Sequence, residues 1–232
     1  MFSDTLQHIR ERIERACRKA GRGIDEVNLL AVSKKVEPER IQEAATHGLR
    51  CFGESRIQEA GQKIPLCPAG LEWHLIGHLQ TNKVRFVPEL FQMVHSIDSE
   101  RLLRAIDHAC AESGVRLPVL LEVNVSGEGS KFGVAPENVL GLLDAARELS
   151  RVDVVGFMTI PPASSDPEHA RPYFRRLREI RDQARGGSGY ELPHLSMGMS
   201  GDFEIAIEEG ATWIRLGSVL FGERRTGGEN GL

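Results

Sequence analysis

The chain has 232 residues, 41% of them hydrophobic, and a formal net charge of −4, enough to bury one sizeable core and too little positive charge for a dedicated nucleic-acid or anionic-membrane binder. No apolar run approaches the roughly 18 residues that a membrane span needs, so no membrane partner is expected. Cys17, Cys51, Cys67 and Cys110 are widely spread with no CxxC pair, which fits reduced thiols in the cytoplasm better than a disulfide framework or a zinc site.

The opening segment is amphipathic and carries both acids and bases around no apolar signal core. It reads as a helix over about residues 4–20 and not as a targeting segment. Short apolar runs then follow at 29–33, 50–53, 72–77, 93–97, 118–125, 154–160, 194–199 and 213–221. Each is rich in Val, Ile, Leu or Phe and short enough to be a buried parallel strand. Helical spacing fills the intervals, clearest at 38–48, 99–113, 136–149 and 168–185. Pro38 and Pro136 suit a first helical turn, Gly48 a helix stop, and Asp98-Ser99 and Gly201-Asp202 helix caps. Gly186-Gly187-Ser188-Gly189 reads as a helix-to-strand loop, and the Gly-rich tail from Thr226 is expected to fray.

Strict alternation of strand and helix implies a parallel sheet with right-handed crossovers. Eight units in about 200 residues favour closure. The expected fold class is α/β, a (β/α)8 TIM-type barrel, with residues 1–232 as a single domain, a core over about residues 25–224 and an extra N-terminal helix.

Such a barrel builds its active face at the C-terminal ends of its strands. Lys34 ends the first run there. Partial desolvation at that place disfavours the ammonium form and suits the amine to attack a carbonyl, although a lysine snorkelling at the rim is the plain alternative. Lys35 is the weaker candidate because successive strand residues face opposite ways. Met199 and Ser200 close the seventh run, and Arg215, Gly217 and Ser218 lie in the eighth. Loops after strands seven and eight are where barrels bind phosphate, through backbone N–H groups, close approach at glycine and serine hydroxyls. Small residues after a strand are also the ordinary composition of a turn. The stretch 126–133 lacks the spacing of a nucleotide P-loop. His74 and His78 straddle a strand end and share no helical face, so no metal is expected, and His74 is read as lining the barrel mouth. Arg171, Arg175, Arg176, Arg178 and Arg181 read as a solvated helix face with Glu168 and Glu179 interleaved.

Seven segments recur in order: Ala31-Val32-Ser33-Lys34, Phe52-Gly53-Glu54, Trp73-His74-Leu75-Ile76-Gly77, Leu79-Gln80-Thr81-Asn82-Lys83, Ser130-Lys131-Phe132-Gly133, Leu195-Ser196-Met197-Gly198-Met199-Ser200 and Ile214-Arg215-Leu216-Gly217-Ser218. In them the sequence closely resembles the pyridoxal phosphate homeostasis proteins, the YggS/PLPBP family. The resemblance implies the barrel domain of alanine racemase and the eukaryotic-type ornithine decarboxylase without their second domain. It also implies pyridoxal 5′-phosphate as the cofactor, with Lys34 as the Schiff-base lysine. By the same resemblance Ser200, Gly217 and Ser218 hold the phosphate and Arg215 faces the pyridine nitrogen. Met199, His74 and Ser55 complete the expected cofactor-binding set. Ser55 is a departure, since many members continue Phe-Gly-Glu with asparagine, and a serine replaces only one of its polar contacts. Lys131 stands where the racemase uses an arginine for the substrate carboxylate, and a point charge holds a carboxylate more loosely than a bidentate fork.

Three functions compete: a cofactor carrier, a pyridoxal-phosphate-dependent amino-acid racemase or decarboxylase, and a cofactor-free Schiff-base enzyme of the aldolase kind. The third leaves a phosphate site and a pyridine-facing arginine without one shared ligand. The second needs proton transfer on both faces of a planar carbanion. Lys34 can serve one face, but the racemase's opposite tyrosine comes from a second domain that this chain is expected to lack. Of the chain's two tyrosines, Tyr190 precedes the seventh run and Tyr173 lies early in the preceding helix. A permanent cation at Arg215 also makes the ring a poorer electron sink. The expectation is a monomeric, cytoplasmic protein that keeps pyridoxal phosphate on Lys34 for vitamin B6 homeostasis, supplies dependent apo-enzymes and has no efficient turnover.

Overall fold

The computed structural model of the chain describes residues 1–129 and 131–222. Ser130 and the tail from Thr226 lie outside the described residues. Every expected apolar run overlaps a strand: β1 (Asn28–Val32), β2 (Cys51–Glu54), β3 (Glu72–Leu75), β4 (Met93–Ile97), β5 (Leu117–Glu122), β6 (Val152–Met158), β7 (His194–Ser196) and β8 (Trp213–Leu216). Neighbours in the chain pair in parallel, and β1 pairs with both β2 and β8, so the sheet closes into a (β/α)8 barrel.

The outer layer is made by α1 (Phe2–Ala20), α2 (Pro38–Thr46), α3 (Ile57–Lys63), α4 (Val87–Leu90), α5 (Glu100–Ser113), α6 (Val139–Ala146), α7 (Arg171–Ser188), α8 (Phe203–Glu208) and α9 (Ser218–Phe221). Side chains alternate between the two faces of each strand. One face packs beneath the helices, with Phe52, Leu75, Phe157, Leu195 and Ile214 in the large core. A separate apolar cluster of Met93, Leu120 and Met158 forms on the other face, within the barrel.

The α1 helix buries Phe2, Leu6, Ile9, Ile13, Ala16 and Cys17, a stripe at helical period. Its partners are α8 and α9. Arg12 forks onto Glu204 at 2.9 and 2.7 Å. Arg22 donates to the carbonyls of Ile207 and Ala211 at 2.9 and 2.8 Å, tying the chain just after α1 to the end of α8 and the residues before β8. Because α9 has only four residues, α1 serves as the long outer helix beside the closing strands.

Three expectations are corrected. Gly186 and Gly187 do not form a loop: α7 runs through them to a buried Ser188, and Gly189, at φ 70°, takes the left-handed cap. The seventh and eighth runs end as strands at Ser196 and Leu216, because Gly198 (φ 93°) and Gly217 turn the chain. The arginines of α7 are not merely solvated: Arg171, Arg175 and Arg178 reach Glu209 at 3.0, 3.0 and 3.1 Å, and Glu209 is buried.

Candidate functional site

At the C-terminal end of the barrel two cavities meet at Lys34. The smaller, of about 310 Å³, is lined by Lys34, Ser55, Met199, Ser200, Arg215, Gly217 and Ser218, with Val32, Ile76, Ile160 and Gly201. It brings together the expected cofactor residues from β1, β2, β7 and β8, except His74. The larger, of about 540 Å³, shares Lys34, Ser55, Ile76 and Ile160 and adds Arg56, His78, Lys83, Glu122 and Phe132.

Lys34 stands in the turn two residues past β1, half-buried, while Lys35 is exposed and at φ 60°. The side-chain alternation expected of a strand therefore does not extend to Lys35; the turn itself separates the two lysines. Ser55 follows β2 and is fixed by its neighbour: a Cβ on Gly77 would lie 2.2 Å from the Ser55 carbonyl oxygen. Only glycine permits that approach. Ser96 Oγ donates to the Gly77 carbonyl at 2.7 Å and holds the pair of turns in place.

The β7–α8 turn depends on Gly198, where a Cβ would lie 2.5 Å from Ala206 Cβ. Asp202 is the N-cap residue of α8, as expected, but its side chain makes no cap bond. Its Oδ1 instead accepts the Met199 N–H at 2.6 Å, bending 199–202 back so that Ser200 faces β8. Ser200 Oγ accepts the N–H groups of Gly217 and Val219 at 3.4 Å each, which is long for such bonds. These amides sit at the start of α9 and suit a stronger acceptor.

Arg215 rises from inside the barrel, buried, donating to Ser196 Oγ at 2.8 Å and to the Thr159 carbonyl at 3.0 Å. Burial lowers its guanidinium to about 10, with Glu122 and Asp202 opposing, so it is a cation at neutral pH. Ser196 is 2.8 Å from His95 Nδ1, and His95 Nε2 is 3.1 Å from His74 Nδ1. One consistent arrangement has Arg215 giving to Ser196, whose hydroxyl gives to His95, whose other N–H gives to His74. Burial lowers His74 to about 4 and His95 well below the usual range, so both rings are neutral in this chain.

His74 is thus corrected from barrel mouth to barrel interior. It pairs with Gly53 and Met93, the level of the inner apolar cluster, and lines neither cavity. The Trp213 ring packs against it at 4.8 Å.

Glu122, at the end of β5, was not anticipated. Burial pushes its carboxyl up to about 7, with Arg215 pulling it down and Asp98 adding to the rise. The signal was present as a charged residue ending an otherwise apolar strand, the same signal that marked Lys34. Lys131 lines neither cavity and lies 3.3 Å from Glu128; Phe132 reaches the larger cavity instead, stacked on His78 at 3.8 Å. Neither Tyr173 nor Tyr190 lines these cavities, and the Tyr190 hydroxyl donates to the Leu143 carbonyl at 3.1 Å. Among the described residues no group of His, Cys, Asp and Glu could hold a metal ion, and no helix is long and apolar enough to cross a membrane.

Comparison with known proteins matches residues 5–225 to the family model described as alanine racemase, N-terminal domain. A relative from Aquifex aeolicus named pyridoxal phosphate homeostasis protein is 48% identical, over 96% of this chain and 98% of its own length. One of the same name from Pseudomonas aeruginosa is 41% identical over 97% of each. The structure of PipY from Synechococcus elongatus with pyridoxal phosphate bound superposes with a TM-score of 0.84 at 33% identity, covering 96% of this chain and 100% of PipY. Alanine racemase of Clostridium difficile shares the fold at 13% identity and a TM-score of 0.74, and this chain covers 58% of it. The chain belongs to the alanine racemase N-terminal-domain family and, within it, to the pyridoxal phosphate homeostasis proteins.

Proposed function

We propose that the chain binds pyridoxal 5′-phosphate on Lys34 and serves vitamin B6 homeostasis as a carrier without efficient turnover. The observation that carries this reading is the smaller cavity, where one amine, one buried cation and a cluster of N–H and hydroxyl donors face a single space. Its volume of about 310 Å³ lies in the range of small-molecule sites. The long contacts of Ser200 to two amides fit a phosphate, which accepts hydrogen bonds more strongly than a hydroxyl.

When bound, the cofactor supplies an aldehyde that condenses reversibly with an amine. Lys34 provides that amine. Ser200, Gly217 and Ser218 would hold the phosphate, Met199 and Ser55 would line the space for the ring, and Arg215 would face its nitrogen. Because Arg215 is a cation anchored by Ser196 and Thr159, it would disfavour a proton on that nitrogen. His74 contributes from beneath, through His95 and Ser196.

In this reading the carrier is a cytoplasmic monomer that supplies dependent apo-enzymes. Its described cysteines are all unpaired, in keeping with a reducing compartment. Holding a reactive aldehyde reversibly lowers its free concentration without consuming it.

A second reading, an amino-acid racemase, draws support from Glu122, which titrates near 7 on the wall shared with Lys34 and could be a second acid–base group. The experiment uses the protein loaded with cofactor in two assays. The carrier reading expects reactivation of a cofactor-stripped dependent enzyme and no D-alanine formation above background. Turnover near a typical enzymatic value of about 10 per second, lost in Glu122→Gln or Tyr173→Phe, makes the chain a racemase.

A further inference from the structure

Between the turn after β1, the end of β2 and α3 lies a charge cluster that lines neither cavity. The buried Lys63 ammonium is 2.8 Å from Glu54 Oε1 and 2.6 Å from Glu59 Oε1, and it donates to the Ser33 carbonyl at 2.7 Å. Glu54 Oε1 also accepts from Ser33 Oγ at 2.7 Å, and Glu59 Oε1 accepts the Lys35 N–H at 2.5 Å. Glu59 and Lys63 share one face of α3 through their four-residue spacing. The cluster therefore grips the two peptide groups that flank the Lys34 Cα, one by its carbonyl and one by its N–H.

Stability is a poor account of these charges. Taking an ion pair out of water is costly, and apolar replacements often serve a fold as well. Glu54 Oε2 is buried without a hydrogen-bond partner. Burial pushes the Glu54 carboxyl up while Lys63 and Ser33 pull it back. What the arrangement does secure is conformation: Lys35 is held at φ 60°, which a residue with a Cβ seldom adopts unaided. With that turn fixed, the chain leaves β1 so that Lys34 reaches the cavity wall while Lys35 stays outside.

We infer that Lys63, with Glu54 and Glu59, is a positioning residue for Lys34, fixing the backbone on both sides of it so that its amine is presented to the cofactor aldehyde. This rests on the reading of Lys34 as the anchor. Covalent linkage depends on where the amine stands, whereas, Ser55 apart, the ring and phosphate contacts would come from β8, α9 and the turn after β7. The cluster should therefore govern the link and leave the rest of the binding intact.

Pyridoxamine phosphate separates the two, because it has an amine in place of the aldehyde and cannot link to a lysine. Its affinity reads the ring and phosphate contacts alone. Lys63→Met is expected to weaken pyridoxal phosphate about tenfold, since charge-assisted hydrogen bonds are lost around the turn, and to reduce the visible imine band. Pyridoxamine phosphate affinity should stay within about twofold. Glu59 is half-exposed, so Glu59→Ala keeps the fold if Lys63→Met does not, and should show the same split at smaller size. Parallel weakening of both ligands would show that the cluster only shapes the pocket, and unchanged binding in both variants would show that it positions nothing; either overturns the inference while leaving Lys34 as anchor. A borohydride-trapped adduct on another lysine in the unaltered protein overturns both the inference and the reading beneath it.

Discussion

At the residue scale, Glu122 is held in its neutral form further up the pH scale than an unfolded glutamate, because burial pushes it from 4.5 to about 7. Between those values the folded chain keeps a proton that the unfolded chain has lost, so stability falls as pH rises through that window. The size is about 3 kcal/mol. His74 acts with the opposite sign: burial lowers it from 6.5 to about 4, so the unfolded chain takes the proton first and stability is lost as pH falls through that range. The two windows overlap, and a variant isolates one of them. Glu122→Gln should be about as stable as the parent near pH 4.5 and gain about 3 kcal/mol relative to it by pH 8 in urea unfolding; a pH-independent difference would place Glu122 in contact with solvent. Ser200 offers a second test. Ser200→Ala should weaken pyridoxal phosphate about ten- to a hundredfold, the loss of one hydrogen bond to a charged group, and leave pyridoxal, which has no phosphate, unaffected. Equal weakening of the two would mean that Ser200 acts through the fold. The thiols stand aside from this chemistry: burial pushes Cys51 up to about 12 and Cys110 to about 11, so they do not compete for an aldehyde.

The β7–α8 turn carries Met199, Ser200 and Gly201 of the cavity wall, and its shape depends on one glycine. With φ at 93° and Ala206 Cβ 2.5 Å from the place a Cβ would take, Gly198→Ala should cost about 2 kcal/mol or more of stability and weaken cofactor binding by moving Ser200. Thermal unfolding and cofactor titration check this; a variant as stable as the parent would mean that the turn relaxes freely. The strands were legible because each apolar run is short and bounded by polar or turn residues, as with Asn28–Val32 ahead of Ser33-Lys34. Strand ends were less so: apolar residues continue on both sides of Gly217, to Phe221, and nothing local shows that α9 begins there. In α7 the glycines misled, since a helix can run through Gly186 and Gly187 when its far end is packed by a buried Ser188. The cavity-lining residues of β1, β7 and β8 were legible from their place after apolar runs, helped by the family resemblance. His74 was misplaced because its depth depends on pairing with Gly53 and Met93. The Lys63 cluster was invisible because Ser33, Glu54 and Lys63 meet only once β1, β2 and α3 are folded together.

For the molecule as a whole, closure of the barrel is backed by an outer clasp that links the two ends of the chain. Lys19 of α1 reaches Glu208 at 2.7 Å, and Arg171 of α7 reaches Glu208 and Glu209 at 2.8 and 3.0 Å. Arg175 and Arg178 converge on the same Glu209. Glu209→Ala leaves three guanidinium groups facing one another and should cost about 2 kcal/mol, less than a fully buried pair because the arginines reach solvent. Cofactor affinity should not change, since the clasp lies on the outer layer; weaker binding at unchanged stability would contradict that division of labour. On the proposed reading, the C-terminal end of the barrel presents a lysine, a cation and phosphate donors to a single ligand. The most direct measurement is borohydride reduction of the protein loaded with pyridoxal phosphate, followed by peptide mapping by mass spectrometry. The account predicts one adduct, on Lys34, absent from Lys34→Ala whose far-ultraviolet circular dichroism matches the parent. An adduct on Lys35, Lys131 or another lysine that persists in Lys34→Ala would contradict it.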